Sequence, residues 1–131
     1  MKPITRIFAI AAMPATLVGP AATAAAQSGV SYYHCHVANY YSKGGKNGGS
    51  RVVFYHSALF PAAKAMDLST RSEIEASLLR YVEGKYPAAD RVYEKRCVEK
   101  GDKAHAEKLY RYQTTKSLYE HVMTGWRPGG R

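Results

Sequence analysis

The sequence predicts an α+β fold: a small, mostly antiparallel sheet with two helices on one face, in the order β-β-α-β-α-β, the last β being a short strand or extended segment. Three observations carry this. Two runs rich in aromatic and β-branched residues, 31–38 and 51–57, flank a glycine loop that has no helical pattern, so they pair as neighbouring antiparallel strands. A clear amphipathic stripe follows them, then a third alternating run and a second, weaker stripe. Finally, the chain has two cysteines, one in the first predicted strand and one in the third.

The first strand centres on Tyr32-Tyr33-His34-Cys35-His36-Val37. Strand alternation places Tyr33, Cys35 and Val37 on one face and Tyr32, His34 and His36 on the other. With the first face buried, Cys35 reaches the segment around Cys97 while both imidazoles look outward. The loop from Asn39 to Ser50 holds four glycines, which favour a mobile connection over a packed one. In the second strand, Val52, Val53, Phe54 and Tyr55 supply strong β propensity.

Residues 58–68 form an apolar connection over the core. Thr70 and Glu73 stand at capping-box spacing and open the first helix, whose buried stripe is Ile74, Leu78, Tyr81 and Val82. Gly84 and Pro87 end it. Arg91 to Val98 alternates as the third strand, and Tyr93 and Cys97 share a face. Asp102 caps the second helix, with Ala106, Leu109, Tyr110 and Gln113 as its stripe. Tyr119 to Trp126 is the closing extended segment, and residues 127–131 have the composition of a flexible tail.

Residues 1–26 read as a signal peptide: Lys2 and Arg6, then the apolar run 7–13, then Ala24-Ala25-Ala26 before Gln27. The expected mature part, 27–131, is one domain with a modest core. Dropping Lys2 and Arg6 lowers the formal net charge from +9 to +7. That charge attracts anionic surfaces, but the cations are scattered and form no specific nucleic-acid motif. No later run is apolar enough to be a transmembrane segment. In an exported chain, Cys35 and Cys97 are expected to form a disulfide, because the compartment is oxidising and a small core gains from a staple. A location in the periplasm or outside the cell follows.

The Tyr-rich first strand with its cysteine, the Tyr81–Pro87 helix end, the second cysteine, the charged Ala-rich helix and the closing Thr124-Gly125-Trp126 together resemble small exported bacterial proteins of unassigned function. The resemblance covers most of the mature part and implies no activity.

Three groups of residues carry the chemical expectations. His34 and His36, two apart on a strand, with His56 on its neighbour, are candidate ligands for copper or zinc, both of which accept imidazole nitrogen. The alternative for them is an exposed sheet surface. Lys43 and Lys46 in the glycine loop are candidate anion contacts, but the loop lacks Gly-Lys-Ser/Thr and precedes a strand, so it is no nucleotide loop. Eleven tyrosines suit either core edges or a binding surface, and Tyr40 and Tyr41 are the expected partner contacts. No nucleophile elbow or zinc-protease histidine pair is present. The expected function is therefore a non-catalytic exported binding or interaction module for an anionic macromolecule or another protein. A histidine-based copper or zinc protein stands second, and a small hydrolase whose site assembles only in three dimensions stands third.

Overall fold

The computed structural model describes residues 29–115 and 119–130; the expected leader, 1–26, lies outside them. The elements are β1 (Val30–Tyr41), β2 (Arg51–His56), β3 (Phe60–Ala63), α1 (Leu68–Lys85), β4 (Arg91–Gly101), α2 (Lys103–Thr115) and β5 (Glu120–Met123). The fold is α+β, with a mostly antiparallel sheet, two helices and a Cys35–Cys97 disulfide, as the sequence predicts. Among the described residues the sheet has five strands. The extra one, β3, forms within the stretch expected to be a simple apolar connection.

β1 is the hub of the sheet. It pairs antiparallel with β4 along Tyr32–Tyr40 on one edge and with β2 along His36–Tyr41 on the other. The remaining length of that second edge is left for β3, its neighbour in the sheet order. Between β2 and β3 the ladder is bridged by Ser57, whose Oγ accepts from Cys35 N–H at 2.9 Å and whose own N–H donates to Cys35 O at 2.9 Å. β5 then pairs with β2 in parallel, from Val53↔Glu120 to His56↔Met123.

One face of this sheet builds the core. Tyr33, Cys35, Val37 and Tyr41 alternate inward from β1, Val53 and Tyr55 from β2, and Leu78 and Val82 meet them from α1. Fully burying aliphatic side chains of this size contributes about 1.5–3 kcal/mol each. Cys35 and Cys97 are register partners with Cα atoms 4.0 Å apart. That is the close, non-hydrogen-bonded type of antiparallel pair, so their backbone groups point away from the shared ladder. Cys97 N–H is taken by Glu75 Oε2 at 2.9 Å, and Cys97 O accepts from Arg71 Nη1 at 3.5 Å. Two α1 side chains four apart thus cover the free edge of β4, where an unpaired backbone would otherwise be exposed.

Two expectations need correction. α1 is capped by Asp67, whose carboxylate accepts from Thr70 N–H at 2.7 Å, so the helix starts one turn before the Thr70–Glu73 capping box. More consequentially, the two helices do not share a face of the sheet. α1 covers the cysteine face, whereas α2 places Tyr110 edge-on against His34, at 4.9 Å between ring centroids, on the opposite face. The chain crosses over at Gly101, whose φ of +94° suits glycine and few other residues. Lys100 and Gln113 then tie strand to helix through an Nζ–Oε1 hydrogen bond of 2.6 Å. The histidine face is therefore partly roofed instead of open.

The glycine loop is shorter than expected, because β1 continues to Tyr41. Its glycines close a turn over Lys46–Gly48, with Gly45 N–H donating to Gly49 O at 2.7 Å and Asn47 at a φ of 57°. Asp90 anchors its start, accepting from Ser42 N–H at 2.7 Å and Ser42 Oγ at 2.9 Å.

Candidate functional site

Alternation along three strands puts four histidines on the face beneath α2. His34 and His36 come from β1, and the register pair His36↔His56 brings His56 from β2 to the same side. The parallel pairing Phe54↔His121 adds His121 from β5 and the Phe54 ring from β2. Sheet spacing then brings imidazoles of adjacent strands into contact.

Three of the rings form a chain of hydrogen bonds. His34 Nε2 lies 2.8 Å from His56 Nδ1, and His56 Nε2 lies 2.8 Å from His121 Nδ1. The rings also stack pairwise, with centroids 4.9 Å and 5.0 Å apart. His34 and His56 are each only 3% exposed. At the His34 end the neighbouring polar side chain is Gln113, which opposes the lowering of the His34 pKa and whose Oε1 accepts from Lys100 Nζ. At the other end, His121 Nε2 is buried with no hydrogen-bond partner. Each link needs one N–H and one lone pair, so the chain is complete with every ring neutral.

Electrostatics favour that neutral state. Burial, followed by the neighbouring His56, His36 and Lys100, lowers the His34 pKa to about 3. Burial, then His121 and His36, lowers His56 to about 3 as well. Burial alone lowers His121. His36 is also lowered by burial, which outweighs the opposing pull of Glu94. Its Nε2 lies 3.6 Å from Glu94 Oε1, beyond hydrogen-bond reach, and that nitrogen is likewise buried without a hydrogen-bond partner.

Above the imidazoles lies a cavity of about 330 Å³. Histidines 34, 36, 56 and 121 contribute to its lining, Phe54 and Tyr119 to the wall on the β2–β5 side, and Tyr112 and Gln113 come from α2. Phe54 packs against Tyr119 at 5.4 Å and His121 at 5.6 Å between centroids, so the wall is mostly aromatic. This is the size and character of a small-ligand site: an apolar enclosure with a few convergent polar atoms. Among the described residues, the lining offers imidazoles, phenols and one amide, and includes no serine, cysteine or carboxylate.

His34, His36 and His56, the three residues singled out as metal ligands, are indeed neighbours. Their nitrogens do not converge, however: His56 turns one nitrogen to His34 and the other to His121, and no one metal ion meets both. Among the described residues no group of three or more His, Cys, Asp or Glu is arranged to hold a metal ion. The other singled-out residues lie elsewhere. Tyr41 is turned into the core, where its hydroxyl donates to Pro87 O at 2.8 Å and meets Tyr55 Oη at 2.9 Å. Tyr40 is half-buried and stacks on Tyr93, with the Arg91 guanidinium 5.2 Å and 5.3 Å from the two rings. Lys43 and Lys46 are exposed on the loop, Lys46 beside a second, more polar groove with Arg51 and Glu120.

Sequence reasoning missed His121, Phe54 and the α2 residues Tyr112 and Gln113. The spacing Tyr119, His121, Met123 was the available signal, since it repeats the alternation that singled out His34 and His36. The chain matches no family model, no curated protein and no solved structure.

Proposed function

We propose that this chain is an exported, non-catalytic binding module, working in the periplasm or outside the cell, whose ligand occupies the cavity between α2 and the histidine face. The observation that carries this reading is an aromatic-walled cavity lined by neutral imidazoles, one of which, His121, has a buried Nε2 without a hydrogen-bond partner. A buried polar atom without a partner costs about 1–3 kcal/mol, which a ligand's polar group would recover. Among the described residues, the lining brings recognition chemistry from imidazoles, phenols and an amide. Export accords with the leader-like residues 1–26, the Cys35–Cys97 disulfide and the absence, among the described residues, of a helix long and apolar enough to cross a membrane.

Titration of the ¹⁵N-labelled oxidised protein with a panel of one- and two-ring aromatic compounds tests the reading. The expected result is saturable amide shifts clustered at Phe54, Tyr112, Gln113 and His121, abolished by Gln113→Trp, which fills the cavity from the roof. Shifts confined to the loop 42–50, or provoked only by polyanions, would instead place the partner surface at Lys43 and Lys46.

A copper or zinc protein is the second reading, favoured by the neutral state of the four rings, the form in which imidazole ligates. It requires the His34–His56 and His56–His121 bonds to break and the rings to turn. Calorimetric titration of wild type and of the His34→Ala, His36→Ala double variant with Cu²⁺ and Zn²⁺ decides it: equal affinities would remove the reading.

A further inference from the structure

The histidine chain has two ends of different character, and its geometry links them. One end, His34, meets Gln113, which is fixed by Lys100. The other, His121, lines the cavity and has an Nε2 that is buried without a hydrogen-bond partner. Between them each shared proton sits on one ring or the next, and each neutral ring carries one proton. Only two ordered arrangements keep both links intact. In one, every proton is on Nε2, so His121 Nε2 is a donor and His34 Nδ1 an acceptor. In the other, every proton is on Nδ1, so His121 Nε2 is an acceptor and His34 Nδ1–H is a donor. A choice made at one end is a choice at the other.

This restricts what the cavity takes. Neutral rings offer no full charge to balance a carboxylate or an ammonium group, and the Lys100 ammonium beside the lining is already held on Gln113 Oε1. A hydroxyl supplies the one missing hydrogen bond, and an aromatic hydroxyl is a better donor than acceptor. The ring that carries it has Phe54, Tyr112 and Tyr119 as walls.

We propose that the cavity binds an un-ionised phenol whose hydroxyl donates to His121 Nε2, and that the chain His34–His56–His121 relays the resulting tautomer to Gln113. The inference rests on the reading of this cavity as the ligand site. With the hydroxyl donating, His121 keeps its proton on Nδ1 and donates to His56 Nε2. His56 then holds its proton on Nδ1 and donates to His34 Nε2, and His34 directs Nδ1–H toward Gln113. Each ring carries one proton throughout, so binding neither takes up nor releases one. The relay couples the cavity floor to α2, the element that roofs it.

Imidazole ¹⁵N spectra of the oxidised protein, recorded during titration with p-cresol, toluene and benzoate, test this directly. The expected result is that p-cresol binds about tenfold or more tighter than toluene and benzoate, and that it moves His34, His56 and His121 together to the Nδ1–H form. In Gln113→Leu, which also removes the acceptor of Lys100 Nζ, both imidazole links remain, so His34, His56 and His121 are still expected to change tautomer together on p-cresol binding. In His56→Phe the response is expected to stop at His121. Equal binding of p-cresol and toluene with unchanged tautomers would overturn the relay and leave the cavity as a ligand site. Tighter binding of benzoate than of p-cresol would overturn the un-ionised class. No cavity shift with any of the three would overturn both the inference and the site beneath it.

Discussion

His34 Nε2 stands 2.8 Å from His56 Nδ1, and both rings are 97% removed from solvent, each being 3% exposed. Two imidazoles so placed share one proton and have no room for two, because burial penalises the charged form and each charge would repel the other.

Stability should therefore depend on pH in one direction. In the unfolded chain both rings titrate near 6.5, whereas in the fold they stay neutral until about 3. Below pH 6.5 the unfolded state binds protons that the folded state refuses, so the free energy of unfolding falls as pH falls. Their contribution is fully present above 6.5 and declines by at most about 1.4 kcal/mol per pH unit for each ring. Urea midpoints measured from pH 8 to pH 5, above the range of ordinary carboxylates, should be level to about 7 and then drop. A midpoint that stays constant from 6.5 to 5 would show that the rings are solvated.

Tyr33 makes a second, separate prediction. Its ring is fully buried, and its hydroxyl donates to Ala63 O at 2.7 Å while accepting from Met66 N–H at 3.0 Å. It thus pins the β3–α1 connection to the centre of β1. Tyr33→Phe keeps the packing but strands both backbone groups, and should lower stability by about 1–3 kcal/mol in equilibrium denaturation. A loss below about 0.5 kcal/mol would mean that water replaces the hydroxyl at that point.

The disulfide closes a loop of 62 positions through the middle of the core. Chain entropy assigns such a link about 4 kcal/mol, acting on the unfolded state. The double variant Cys35→Ala, Cys97→Ala should lose most of that, and it should also loosen the Glu75 and Arg71 contacts to the Cys97 backbone. Amide exchange at Cys97 that stays slow in the variant would show that α1 holds the β4 edge without the covalent bond.

Much of this was legible in the sequence, for identifiable reasons. Period-two alternation in Tyr32–Val37 separated Cys35 from the two histidines, and that separation holds in space because β1 is paired on both edges and cannot roll. The i, i+4, i+7, i+8 stripe of α1 was readable because Leu78 and Val82 face a wholly apolar surface. The placement of α2 was not readable. Its stripe is a mixture, with Ala106 buried, Tyr110 laid against His34 and Gln113 bonded to Lys100, so the stripe marks an inner side of the helix without saying which face of the sheet it meets. The far side of the sheet also carries rings that are half polar, and a roof over imidazole leaves no hydrophobic signature. His121 was hidden for a further reason: its parallel pairing to β2 joins residues 67 apart, a relation that local pattern does not encode.

Whether three imidazoles are joined in one neutral chain is the claim on which the site depends. Scalar coupling between nitrogens across a hydrogen bond, measured on imidazole-labelled protein at pH 7, reads it without any ligand. The account predicts two couplings, His34 Nε2 to His56 Nδ1 and His56 Nε2 to His121 Nδ1, with chemical shifts of neutral rings. Absence of both couplings, or ring shifts of the protonated form at that pH, would contradict it.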